Sequence, residues 1–122
     1  MDTLSFVLVF LVLALMDVFY TYRNIGLLRR HRSDWIECEA NPFVRFFWRR
    51  FGFSWGTFSA AAVTVFFVVF LALLIGGREF FQGLVIGVYV MLHHMHYLTY
   101  AGLRSRYLGE EPNLLARIFM DW

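Results

Sequence analysis

Four ionisable side chains lie inside long apolar stretches of this 122-residue sequence. Asp17 lies in the first of three such stretches, and His93, His94 and His96 lie in the third. Because polar and charged groups are costly inside hydrocarbon, they usually face a bundle interior or a cavity and mark a functional site. Carboxylate and imidazole groups can bind a metal, carry a proton or ligate haem.

The three apolar stretches, residues 4–22, 55–75 and 80–103, are each about long enough to cross a bilayer as a helix. Hydrophobic residues make up 60% of the chain, more than a soluble domain of this length can cover. The predicted fold class is therefore an all-α polytopic membrane protein with a single domain over residues 1–122. The acidic Asp2 and the lack of a small-residue cleavage motif argue against a cleaved signal peptide.

The arginines predict the orientation, because cytoplasmic segments of membrane proteins carry an excess of positive charge. All eleven strongly basic residues are arginines, and seven of them lie between the first and second stretches, one between the second and third, and three after the third. This distribution predicts a cytoplasmic-membrane protein with its N-terminus outside and its C-terminus in the cytoplasm. The net charge is only +2 and the arginines lie beside the spans, so a nucleic-acid partner is not expected.

Two shorter segments, 42–51 and 112–122, are predicted to form amphipathic helices on the cytoplasmic membrane surface. In the first, the aromatic residues share one broad arc, and Asn41 and Pro42 suit a helix cap and first helical position. In the second, apolar residues recur at helical spacing after Pro112. The alternative for each segment is a short helix packed on the bundle.

Small residues recur at intervals of four at the start of the second span and in the third, which lets helices approach closely. They are Gly52, Gly56 and Ala60, followed by Gly83 and Gly87. We expect them to hold the second and third spans together, and contact between two copies of the chain is the alternative. His94 lies near the face of the third-span glycines and is predicted to donate a hydrogen bond across this contact.

The intramembrane polar residues of the first and third spans are predicted to lie at the same depth. Both groups begin about 13 residues into spans of the same direction, roughly 20 Å from the outer boundary. At 100° per residue, the candidate ligands share one face on each span. They are Asp17 and Thr21 on the first span, and His93, His96, Tyr97 and Tyr100 on the third.

A metal is one ligand that this set could bind. His93 and His96 lie three residues apart on a helix and could both reach one ion, with Asp17 from a second helix completing or orienting the site. A transition metal fits this pattern better than haem does. A proton path and simple helix-to-helix hydrogen bonds are the alternatives that need no cofactor.

The loop before the first surface helix carries the motif Glu39-x-Asn41-Pro42. The Asn-Pro pair restricts the backbone after Glu39, and the loop could fold back toward Asp17. The neighbouring Cys38 is the only cysteine, so an internal disulfide is excluded, and its spacing from other ligand residues matches no zinc motif.

Asp17-x-x-x-Thr21 followed by Glu39-x-Asn41-Pro42 resembles a family of small, uncharacterised archaeal and bacterial membrane domains with several spans. The resemblance covers roughly Asp17 through the second span. It implies a multi-span fold and a co-located set of Asp, Glu and Asn side chains, but it implies no activity. The histidines of the third span are not part of the pattern.

Three kinds of function are compatible with such a site. The favoured one is a small binding or accessory protein in the lipid bilayer, in a homo-oligomer or a larger membrane complex, whose Asp/His site binds a metal or another ion. The second is an ion or proton-coupled transporter, which needs an oligomer because three spans rarely enclose a pathway. The third is an intramembrane metal-dependent enzyme with Glu39 as general base. It is less favoured because the sequence has no His-Glu-x-x-His motif.

Overall fold

The structure, a computed structural model, describes residues 1–39, 41–75 and 78–109. Regular structure in these residues is entirely helical, as the sequence predicts. The helices are α1 (Thr3–His31), α2 (Pro42–Phe51), α3 (Phe53–Ile75) and α4 (Glu79–Leu108), with a short 3-10 helix at Trp35–Cys38. The predicted helix over 112–122 lies outside the described residues.

Helix α1 lies between α3 and α4 and packs against both. With 29 and 30 residues, α1 and α4 are about 45 Å long, longer than the roughly 30 Å hydrocarbon core of a bilayer. They therefore continue past the ends predicted for the first and third spans. Nothing breaks the helix between the predicted end of the first span and His31, while α4 ends at Gly109, whose φ of 68° is left-handed.

Two of the long helices, α1 and α3, are apolar enough to cross a membrane. Only 17% of the most apolar window of α1 and 11% of that of α3 are buried inside the protein, unlike the core helix of a soluble protein. The third predicted span, α4, is as long but does not reach the same hydropathy, because Gln82 and its three histidines interrupt the apolar run.

The apolar core lies where the first half of α1 meets α3 and α4. Phe6, Phe10 and Ala14 of α1 are buried there with Ala72 of α3. The ring of Phe10 meets that of Tyr89 edge-on, with centroids 5.3 Å apart. These contacts fix α1 between its neighbours and set the rotation of α4 about its axis.

At the start of α3, Gly56 packs closely against the second half of α2. A Cβ added to Gly56 would lie 2.7 Å from the backbone oxygen of Phe47, so only glycine allows this approach. Gly52 has a φ of 79° and ends α2, which makes it a turn residue and not a packing residue of the span. Around Gly83 and Gly87, an added Cβ would meet nothing within 4 Å. The expected hairpin contact of the second and third spans therefore gives way to an α2–α3 contact, because α1 lies between α3 and α4.

Candidate functional site

The side chains of Asp17 and His96 join α1 to α4. The Nε2 atom of His96 lies 2.8 Å from Oδ1 of Asp17, and both side chains are partly exposed. The structure thus brings together two of the residues that the sequence places at one depth. In a low-dielectric setting this hydrogen bond is stronger than it would be in water.

Asn24 fixes the orientation of the His96 ring. Its side chain is only 1% exposed, and its Nδ2 donates to the backbone oxygen of His96 at 3.0 Å. The same Nδ2 lies 3.3 Å from Nδ1 of His96. Because an amide nitrogen can only donate, Nδ1 must accept, which leaves the proton on Nε2 pointing at Asp17. In this arrangement the His96 ring donates from Nε2 to the Asp17 carboxylate.

His93 bonds to the backbone and not to the Asp17 carboxylate. Its Nε2 donates to the backbone oxygen of Leu13 at 3.1 Å. The ring of Tyr20 packs against both imidazoles, with centroids 5.5 Å from His93 and 6.0 Å from His96. No group of three or more His, Cys, Asp or Glu side chains within the described residues is placed to hold a metal. Each histidine makes its own hydrogen bond to α1, His93 to Leu13 and His96 to Asp17. Their spacing alone would have allowed both to bind one ligand.

A cleft of about 190 Å³ opens beside Asp17, between α1, α2, α3 and α4. Thr21 and Asn41 line it with Asp17, so the loop motif does fold back to the first span. Two further threonines, Thr57 and Thr64, line it from α3. Most of the lining is apolar, and none of the described lining residues carries a positive charge.

Glu39 and Asn41 form the turn that leads into α2. Oδ1 of Asn41 accepts from the backbone N–H of Phe43 at 3.0 Å, which confirms the predicted cap with Pro42 in the first turn. Oε1 of Glu39 accepts from the backbone N–H of Asn41 at 2.9 Å. Glu39 therefore holds the backbone of the turn, and it is not among the residues that line the cleft.

The other candidate residues of the third span lie away from the cleft. Tyr97 is 45% exposed, and the side chain of His94 is exposed on the outer surface of α4. The ring of Tyr100 packs against the guanidinium of Arg23. Asn24 was not among the candidates, although it lies seven residues after Asp17, a spacing that places it on the same helical face.

No family model matches this chain, and neither the curated proteins nor the solved structures include a significant match.

Proposed function

We propose that this chain is a three-span protein of the cytoplasmic membrane that binds a small, singly charged cation in the cleft beside Asp17. The observation that carries this proposal is the position of Asp17. One carboxylate oxygen accepts a hydrogen bond from His96, while the side chain also lines the cleft. A hydrogen bond to one carboxylate oxygen fixes the side chain and leaves the second oxygen for a ligand.

The exposed apolar surface supports the membrane placement. Large apolar side chains are exposed over residues 4–19 of α1 and along α3, among them Leu15, Phe66 and Leu73. Helix α4 joins them as a third span in this proposal, because two of its three histidines, His93 and His96, bond to α1, while His94 is exposed. The excess of arginines after the first span then places its C-terminal end in the cytoplasm.

The charge and chemistry of the lining favour a cation. Asp17 is the only carboxylate among the described lining residues, and three threonines, Thr21, Thr57 and Thr64, also line the cleft. The hydroxyl of Thr57 accepts from Nε1 of Trp48 and that of Thr64 donates to the backbone oxygen of Ala60, so each keeps a lone pair for a ligand. Hard cations and ammonium groups take such oxygen ligands. One carboxylate balances a single positive charge, whereas divalent sites commonly use several carboxylates.

The size of the cleft favours a ligand larger than a bare ion. Its 190 Å³ equals roughly six water molecules at about 30 Å³ each. The rings of Phe43 and Tyr89 also line it, and aromatic faces attract ammonium groups. A small organic ammonium ion or a hydrated monovalent ion fits this combination of one charge, several oxygens and two rings.

The hydrogen bonds of the histidines favour binding over metal-dependent catalysis. Both ring nitrogens of His96 are hydrogen-bonded, to Asp17 and to Asn24, so His96 would have to leave a partner to bind a metal. The side chain of Glu39, the candidate general base, is bonded to the turn. Asp17, Thr21 and Asn41 line one cleft, whereas Glu39, the remaining acidic residue of the motif, does not.

Equilibrium dialysis of protein in lipid nanodiscs, with radiolabelled methylammonium and sodium as separate probes, tests the proposal. The parent should bind one probe at about one per chain. Asp17→Asn keeps the shape of the side chain but removes the charge, and should weaken binding roughly tenfold or more. Asp34→Asn is the matched control, since Asp34 is an exposed carboxylate of the loop paired with Arg32. Equal binding in the parent and the Asp17 variant, or none in either, would refute the proposal.

A further inference from the structure

Arg23 is a charged side chain of the α1–α4 contact that the Asp17 cleft does not use. Its Cζ lies 4.8 Å from the ring centre of Tyr20 and 3.6 Å from that of Tyr100. Its Nε and Nη2 atoms are buried and have no hydrogen-bond partner among the described residues. Because a buried charged donor without an acceptor is destabilising, this edge of the guanidinium suits an acceptor from outside the chain.

Arg32 shows what the same edge binds when an acceptor is within reach. Its Nε and Nη2 atoms donate to the two carboxylate oxygens of Asp34 at 2.8 Å and 2.7 Å. This paired geometry matches carboxylate and phosphate groups, which accept two parallel hydrogen bonds. On Arg23, the equivalent pair of donors meets no described carboxylate.

A groove of about 330 Å³ reaches Arg23 from the surface between α1 and α4. Its lining includes Arg23, Gly26, Leu27 and Arg30 from α1, with Tyr100 and Leu108 from α4. A Cβ added to Gly26 would meet nothing within 4 Å, so the groove is open at that position. Among its described lining residues are two cations and no acidic side chain, which favours an anion.

We propose that this groove binds the phosphate group of an anionic membrane phospholipid, with Arg23 and Arg30 donating to it. The groove begins at Tyr22, where the predicted first span ends, so it lies at the level of the lipid headgroups. Tyr22 and Tyr100 line the end of the groove nearer the bilayer centre, where the glycerol of the bound lipid would lie.

Binding requires a local movement of Arg23. Its Nε–Nη2 edge is buried in this structure, so the guanidinium turns toward the groove when the phosphate enters. Two charge-assisted hydrogen bonds then replace part of the contact with the Tyr20 and Tyr100 rings. This site is separate from the Asp17 cleft and rests only on the membrane placement proposed above.

Native mass spectrometry of protein equilibrated with equal amounts of phosphatidylglycerol and phosphatidylcholine tests the assignment. The parent should retain one phosphatidylglycerol in preference to phosphatidylcholine. Arg23→Gln removes the paired donors, and Gly26→Leu fills the groove without changing charge; each should reduce retention roughly tenfold. Arg29→Gln is the matched control and should retain the lipid, because Arg29 also stacks on aromatic rings of this chain but lies outside the groove.

A separate arm adds inorganic phosphate to the lipid-loaded parent. Retention of phosphatidylglycerol in that arm supports a lipid ligand, whereas its displacement would assign the site to free phosphate and overturn the proposal. Equal retention in Gly26→Leu and the parent would also overturn it, even if Arg23→Gln failed to fold. Methylammonium and sodium dialysis of the same preparations reports on the Asp17 cleft independently, so failure of one site is distinguishable from failure of the other.

Discussion

The two halves of α1 contact their neighbours through different chemistry. In the N-terminal half, Phe6, Phe10 and Ala14 pack against apolar side chains of α3 and α4. In the C-terminal half, Asp17 and Asn24 bond to His96, with Tyr20 and Arg23 packed around them. Apolar packing therefore dominates in the first half, where the described residues of α4 add hydrogen bonds only to the backbone oxygens of Met1 and Leu13. Hydrogen bonds between side chains dominate in the second half.

This difference bears on the role of the polar residues in the second half of α1. The apolar half shows that rings and small residues are sufficient to pack α1 against its neighbours. Polar groups in a membrane interior add on average only about 0.6 kcal/mol each to helix association. Bonds of this size add little to the association of α1 with α4, which is consistent with the ligand-binding role proposed above for Asp17.

The strongest test of the apolar half is Phe10→Ala. Phe10 is 0% exposed and contacts both Phe6 and Tyr89, so its loss leaves a cavity at the meeting point of three helices. We expect the free energy of unfolding to fall by about 3 kcal/mol, at the low end for a large-to-small change, because lipid supplies no hydrophobic drive. Titration with SDS in mixed micelles, followed by circular dichroism, measures it. Leu15→Ala, at an exposed position, should have little effect.

A pair of glycine substitutions tests the close helix contact of α2 with α3. Gly56→Ala places a methyl group against the backbone of Phe47 and should destabilise the protein by about 2 kcal/mol. This methyl group should push α2 away from α3. The movement should also weaken the 3.0 Å hydrogen bond from Nε1 of Trp48 to Oγ1 of Thr57. The tryptophan emission spectrum and the SDS midpoint report both changes. Gly83→Ala should be neutral, since its Cβ meets nothing, and equal effects of the two would contradict this contact.

The sequence predicts the parts of this structure that depend on one segment at a time. The apolar runs locate α1, α3 and α4, and the Asn41-Pro42 pair locates the start of α2. Counting residues from the outer ends of the spans predicts one depth for Asp17 and the histidines, and the structure joins Asp17 to His96. Each of these predictions follows from local geometry and needs no knowledge of helix neighbours.

Predictions that depend on which helices are in contact are wrong more often. The spacing of Gly52 and Gly56 identifies a small-residue face but cannot say that α2 covers it. Periodicity likewise groups Tyr97 with His96, although the rotation of α4 set by its apolar contacts with α1 leaves Tyr97 exposed. The pairing of Arg23 with Tyr100 is missed for the same reason, since it joins two helices.

A double-mutant cycle on Asp17 and His96 tests whether the polar half adds stability. We expect the two alanine substitutions to show a coupling energy of about 1 kcal/mol, the size typical of hydrogen bonds between helices in a membrane. SDS titration of the parent, both single variants and the double variant gives this number. Asp17 and His31 form the control pair, since they lie 14 positions apart on α1 and should behave additively. A coupling of several kcal/mol would mean that the polar residues mainly hold the helices.

The smallest expected effect concerns Asp2, the ionised group next to the apolar half. Both carboxylate oxygens of Asp2 accept hydrogen bonds from Ser5. These bonds lower the pKa of Asp2 below its ordinary value of 3.8. A lowered pKa means that the stabilisation is complete above the ordinary value and is lost as the pH falls through the lowered one. Asp2→Ala should therefore reduce the thermal midpoint slightly at neutral pH, and the difference should close in acid. A large decrease at neutral pH would show that this half of α1 depends on charge as well as on packing.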